Sequence, residues 1–142
     1  MEQKIEGFSD DDTARIEEQR DWVRDHYDEN ARHKYGTIQG KYTLLDTILE
    51  SGWIEPDETW KLQSLGITFG DMLAQLLDLE WVMVEHDSGR DPALRVPGTA
   101  ILAFPLTAIS KRIERGETVD VKELLKQFAG ELERLRQDPS VD

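Results

Sequence analysis

The sequence contains no cysteine. That removes disulfides, thiolate nucleophiles, iron–sulfur clusters and cysteine-based zinc sites together, and it fits a reducing compartment. Long hydrophobic runs are missing too. No apolar stretch approaches the ~18 residues of a membrane-spanning helix, and the opening MEQKIEGFSDDD has no apolar signal core. The expectation is a cytoplasmic protein without a membrane partner. Basic residues are also scarce: 17 Lys and Arg face 30 Asp and Glu, a formal charge of −13. A field of that sign repels phosphate backbones, because nucleic-acid affinity comes largely from Lys and Arg releasing counterions. Nucleic acid is therefore not an expected partner.

Familiar catalytic signatures are absent as well. The chain has no GxxxxGK(S/T) phosphate loop, no GxGxxG after a strand, no Gly-x-Ser-x-Gly elbow and no HExxH zinc pair. Its three histidines do not fill the gap. His26 and His33 lie seven apart and would share a face only if one helix ran through Asp28-Glu29-Asn30. His86 stands beside Asp87 at an expected turn. The stretch from Asp87 to Asp91 lacks the ligand alternation and closing glutamate of a calcium loop. No metal and no cofactor are expected.

What is present is the material of one α+β domain. A chain of 142 residues buries about 68–70% of its unfolded surface, enough to fold without staples. Residues 1–8 read as a flexible tail and residues 9–138 as the domain. Ser9 and the three aspartates after it supply a cap and favourable charge for a helix from about Thr13 to Tyr27. A second helix is predicted over Thr37 to Ser51, with Gly52 as its left-handed stop. The third carries the strongest periodicity: Leu62, Leu65, Phe69, Met72, Leu73 and Leu76 recur at steps of three and four. Gly66 and Gly70 lie one turn apart beside that stripe. Each costs about 1 kcal/mol relative to alanine inside a helix, so another element is expected to approach the bare backbone.

At Glu80 the period changes. Trp81 to Val84, Ala93 to Val96 and Thr99 to Phe104 suggest a three-stranded antiparallel meander, with turns at His86 to Gly89 and at Pro97-Gly98. Pro105 is expected at the first position of a fourth helix ending at Gly116. Asp120 caps the fifth, which Asp138-Pro139 stops. About five helices with a small sheet between the third and fourth make an α+β fold.

Charge is unevenly spread. From Leu44 to Ser88 there are ten carboxylates and a single base, Lys61, whereas from Lys111 to Arg136 seven bases face six acids. Trp53 and Trp60 bracket the acidic connector Glu55-Pro56-Asp57-Glu58. Aromatic rings around carboxylates can hold a cation or a partner's arginine; large aromatics at helix boundaries also close off cores. The candidate partner-binding residues are Trp53, Glu55, Asp57, Glu58, Trp60, Asp71, Glu85 and Asp87, forming an acidic face for a basic protein. No residue is assigned a catalytic role.

Several segments carry a family likeness: Glu58-Thr-Trp-Lys-Leu-Gln-Ser-Leu-Gly66 running into Phe69-Gly70-Asp71, then Leu79-Glu-Trp81-Val, Asp91-Pro92-Ala-Leu94-Arg, and Phe104-Pro105 to Ser110-Lys111-Arg112. Through them the stretch from about Trp22 to Arg136 resembles the bacterial family called domain of unknown function 3806. The resemblance implies a small intracellular α+β domain and brings no site residues. The helix–hairpin–helix pattern also looks like parts of immunity proteins that neutralise bacterial toxins. The expected role is a non-enzymatic interaction module. The alternatives are a self-associating accessory protein and a carboxylate-dependent enzyme centred near Asp71.

Overall fold

The computed structural model describes residues 3–138. Ser9 starts the first helix, α1 (Asp10–Arg24), through a closed capping box. The Ser9 hydroxyl accepts from the Asp12 amide at 3.1 Å, and the Asp12 carboxylate accepts from the Ser9 amide at 2.9 Å. The three aspartates form the first turn rather than preceding it, so the helix begins earlier than Thr13. It also ends earlier than Tyr27. A 3-10 segment, Glu29–Gly36, follows and carries His33, whereas His26 lies in the turn before it, so one α-helix does not run through both. Helix α2 (Ile38–Ser51) has the expected signals: Thr37 accepts from the Gly40 amide at 2.9 Å, and Gly52 turns left-handed at φ 66°.

Helix α3 (Thr59–Leu77) is central. Leu62, Leu65, Phe69, Met72 and Leu73 are at most 1% exposed, and each such side chain contributes about 1.5–3 kcal/mol by burial. Its two glycines are covered by protein. A β-carbon on Gly66 would lie 2.9 Å from the Pro105 carbonyl oxygen and closer still to that of Leu106. One on Gly70 would lie 2.5 Å from the Trp81 ring. The expected close approach is therefore the 105–106 backbone and an indole.

The sheet has four antiparallel strands in the order β1-β2-β3-β4: Lys4–Glu6, Glu80–His86, Gly89–Arg95 and Leu102–Ala103. The last three are the expected meander. The first corrects the reading of residues 1–8 as a tail: Ile5 stands opposite Val84, and three residues are too few to show alternation in the sequence. Residues 1 and 2 of that expected tail lie outside the described residues. Trp81 stands opposite Leu94 on the face toward α3, while Val82, Val84 and Ala93 cluster on the other face with Ile5 and Leu102.

Helix α4 (Ala108–Glu114) starts three residues later than Pro105. The Pro105 carbonyl accepts from the Ala108 amide at 3.1 Å, so the proline opens a turn that leads into the helix. Asp120 caps α5 (Val121–Gln137), accepting from the Glu123 amide at 3.1 Å. Phe128 of α5 meets Phe69 edge-on at 5.2 Å. Pro139, the expected stop, lies outside the described residues. With the 3-10 segment counted, the described residues hold six helices, and no helix among them is long and apolar enough to cross a membrane.

Candidate functional site

The connector between α2 and α3 is a tight turn. The Glu58 carboxylate accepts from the Glu55 amide at 2.9 Å, and Lys61 pairs with it one turn into α3. The lysine, and then that amide, hold the Glu58 carboxyl below its usual range. Glu55 and Asp57 are exposed and have no ion-pair partner among the described residues. On either side stand Trp53 and Trp60, each 44% exposed. They do not face each other across the acids. Both pack against Trp22 of α1, at 6.1 Å and 6.0 Å between ring centroids. His26, one turn beyond Trp22, meets that ring at 4.6 Å and stacks on Trp53 at 5.3 Å. The result is a partly open aromatic face beside unpaired carboxylates. Trp22 and His26 were not among the expected site residues; their four-residue spacing within the helix expected over Thr13 to Tyr27 was the available signal.

Asp71 is placed differently from the expectation. It is only 9% exposed and lies within the core, away from the connector. Arg20 of α1 grips it with two bonds, at 2.7 Å and 2.8 Å. The Tyr35 hydroxyl donates at 2.8 Å and the Trp81 indole at 3.0 Å. Four donors occupy the roughly four lone-pair positions of a carboxylate, so none is left to take a substrate proton. Thr68 completes the chain with a 2.9 Å bond to Tyr35. Burial and the neighbouring Asp71 charge push the Tyr35 phenol well above its ordinary value. Burial opposes the Arg20 charge, and Asp71 more than offsets that effect. Burial also draws the Lys41 ammonium down; it sits 4.9 Å over the Tyr35 ring. This cluster braces α1, the 3-10 segment, α3 and β2 together.

Glu85 and Asp87 are exposed at the hairpin end, with Glu85 opposite Lys4 in the sheet. They do not join the Trp53–Trp60 connector. Beside them, His86 bonds Asp91 at 2.8 Å and Ser88 at 2.9 Å. A Ser–His–Asp chain invites a catalytic reading, but its three members lie within six residues on one turn. The cleft next to His86 is lined by Phe104, Thr107 and Lys111 and not by Ser88. The bonds pin the hairpin end.

A larger cleft, about 570 Å³, runs between α1, the start of α3 and the hairpin. Ile16, Met83, Pro92 and Leu106 form apolar walls, and Trp60 lines its mouth. One end is closed by Asp12, which is 1% exposed. Arg90 bonds both of its oxygens at 3.1 Å, and Arg15 reaches it at 2.6 Å. Arg90, then the Ser9 amide, hold the Asp12 carboxyl far below its ordinary value against the effect of burial.

With this geometry in hand, comparisons place the chain among known proteins. The family model described as a domain of unknown function (DUF3806) matches residues 41–125. The chain belongs to that family. The family match is narrower than the stretch from Trp22 to Arg136 expected from the sequence: it begins within α2 and leaves out α1, with Arg20 and Trp22. A crystal structure of a protein from Bacteroides thetaiotaomicron VPI-5482, at 1.50 Å resolution, superposes with a TM-score of 0.72 and 16% sequence identity. The superposition covers 91% of this chain and 48% of that one, so the chain spans about half the length of that protein. At this identity the likeness shows the fold alone. No curated protein matches the sequence.

Proposed function

We propose that the protein is a non-enzymatic interaction module that receives a basic segment of a partner protein on the face formed by Trp22, Trp53 and Trp60. The observation that carries this reading is the pair of half-exposed indoles packed on Trp22 beside the unpaired carboxylates of Glu55 and Asp57. A guanidinium or ammonium over such rings gains about 0.5–1 kcal/mol at an exposed site and more when desolvated. The neighbouring carboxylates add attraction that salt screens. A basic toxin of the kind that immunity proteins neutralise is one partner of this chemistry. The cytoplasmic setting belongs to the same reading and is supported by the lack of cysteine.

Titration with a hexa-arginine peptide, followed by tryptophan fluorescence, tests it. Trp53→Ala and Trp60→Ala should each weaken binding about two- to fivefold, and added salt should weaken it steeply. Glu117→Gln, in the loop before α5, should change little. Equal loss at Glu117 and at the connector would reduce the binding to bulk charge and end the proposal.

A second reading, self-association, is favoured by an apolar cleft of about 230 Å³ between β4 and α5, walled by Leu102, Phe128, Leu132 and Leu135. A monomer mass that does not change with concentration in sedimentation would remove it.

A further inference from the structure

The aromatic face includes a titratable ring with one nitrogen unused. His26 stands exposed just past the end of α1. It stacks on Trp53 at 5.3 Å with 22° between the planes and meets Trp22 edge-on at 4.6 Å. Its Nδ1 lies 2.8 Å from the Trp22 carbonyl oxygen and 3.3 Å from that of Val23. A carbonyl only accepts, so Nδ1 carries the hydrogen and donates it. The proton that an imidazole gains between about pH 5 and 8 must then go to Nε2, which bonds nothing among the described residues. Taking it up breaks no bond, so the charge arrives with the ring still stacked on Trp53.

The surroundings make that charge count. The last carbonyls of a helix carry partial negative charge, and His26 bonds directly to two near the end of α1. Three bases around it are already paired: Arg24 with Asp21, Arg32 of the 3-10 segment with Asp25, and Lys61 of α3 with Glu58. His33 and Lys34 lie further along the 3-10 segment. Asp28 and Glu29 in the turn, Glu50 at the end of α2, and Glu55 and Asp57 in the connector are the other charged groups on these elements, and all are acids. An imidazolium on Trp53 is itself the kind of cation that the ring would receive. It also repels a guanidinium brought to the same rings.

We propose that His26 gates the aromatic face: uncharged, it leaves the Trp22, Trp53 and Trp60 rings open to a partner's cation, and protonated, it takes that role itself and turns the partner away. This inference rests on the reading of those rings as a cation receiver, and it adds the regulation of that site. The basic partner is held at neutral and alkaline pH and released as pH falls.

Calorimetric titration of the intact chain with acetylated, amidated hexa-arginine tests it, because guanidinium keeps its charge throughout. Binding should be about two- to sixfold weaker at about pH 5.5 than at about pH 8, the scale of repulsion between unit charges roughly 6 Å apart near water. His26→Phe keeps a ring to stack on Trp53 but cannot titrate, so its affinity should be the same at both pH values. His26→Gln should behave likewise, and His33→Gln should keep the full pH effect. By reciprocity, the NMR signal of the His26 ring should titrate at lower pH when the peptide is bound. Equal binding by the unaltered chain at the two pH values overturns the inference and leaves the cation reading standing. A pH effect that survives in both His26→Phe and His26→Gln also overturns it. Absence of binding at about pH 8 removes the cation reading and the gate with it.

Discussion

Asp12 and Asp71 are two buried carboxylates, each gripped by an arginine and each tying α1 to the hairpin sheet. They sit in different surroundings. Asp71 meets Arg20 where both side chains are largely covered, 11% and 20% exposed, and its other donors are the neutral hydroxyl of Tyr35 and indole of Trp81. Asp12 is more deeply buried still, at 1%, but its arginines are not: the side chains of Arg90 and Arg15 are 35% and 66% exposed. Part of its support is local, through the Ser9 amide. Burial of the acid alone therefore says little about how much an ion pair matters. What decides it is whether the partner could return to water if the acid were removed.

The largest effect should come from Asp71→Ala. It leaves Arg20 with Glu17 as its remaining carboxylate and takes the acceptor from the buried Tyr35 hydroxyl and the Trp81 indole, a loss of up to about 3 kcal/mol, read as a drop in the urea midpoint. Arg20→Met combined with Asp71→Leu should recover most of that loss, because a covered ion pair replaced by apolar side chains of similar volume is often neutral or better. If the double variant is as unstable as Asp71→Ala, the contrast drawn from the partner's exposure fails. Asp12→Ala should cost less, about 1–2 kcal/mol, the scale of a lost cap plus a charge-assisted bond whose partners can rehydrate.

The sign of the pH dependence sharpens the same contrast. Asp12 is held below its ordinary 3.8 in the folded chain. Its contribution is therefore fully present above that value and is lost as pH falls toward the folded value. Asp12→Asn should flatten the acid limb of a melting-temperature profile below about pH 4. The smallest effect on stability should be Trp53→Ala, within about 0.5 kcal/mol as for other surface sites. A larger loss would mark the aromatic face as a structural closure.

Local signals were readable where the cause was local. Ser9, Thr37, Gly52 and Asp120 act at the helix ends expected of them, because a cap is settled within three residues. The Gly66–Gly70 pair announced a close approach. Its occupants, the 105–106 backbone and Trp81, stand too far along the chain for any spacing rule to name. Arg20 and Asp71 are 51 residues apart and Arg90 and Asp12 are 78 apart, so the residues that hold the sheet to α1 looked like ordinary surface charge. That is why Asp71 was grouped with the acidic face. Of the expected site, the Trp53–Trp60 connector came together as one patch, while Glu85 and Asp87 went to the hairpin end. Trp22, which unites the two indoles, lies 31 positions before Trp53, too far along the chain for any spacing rule to connect them.

The pairing of Ile5 with Val84 has a kinetic consequence. Joining such distant segments requires closing most of the chain into a loop, at an entropic cost that grows with the logarithm of the separation. The β2–β3 hairpin and the α2–α3 contact close far shorter loops, and short closures tend to come first. In native-state hydrogen exchange, the amides of residues 4–6 should therefore open at lower free energy than those of Val82 and Val84. The first strand would be the last part of the sheet to arrive and the first to leave.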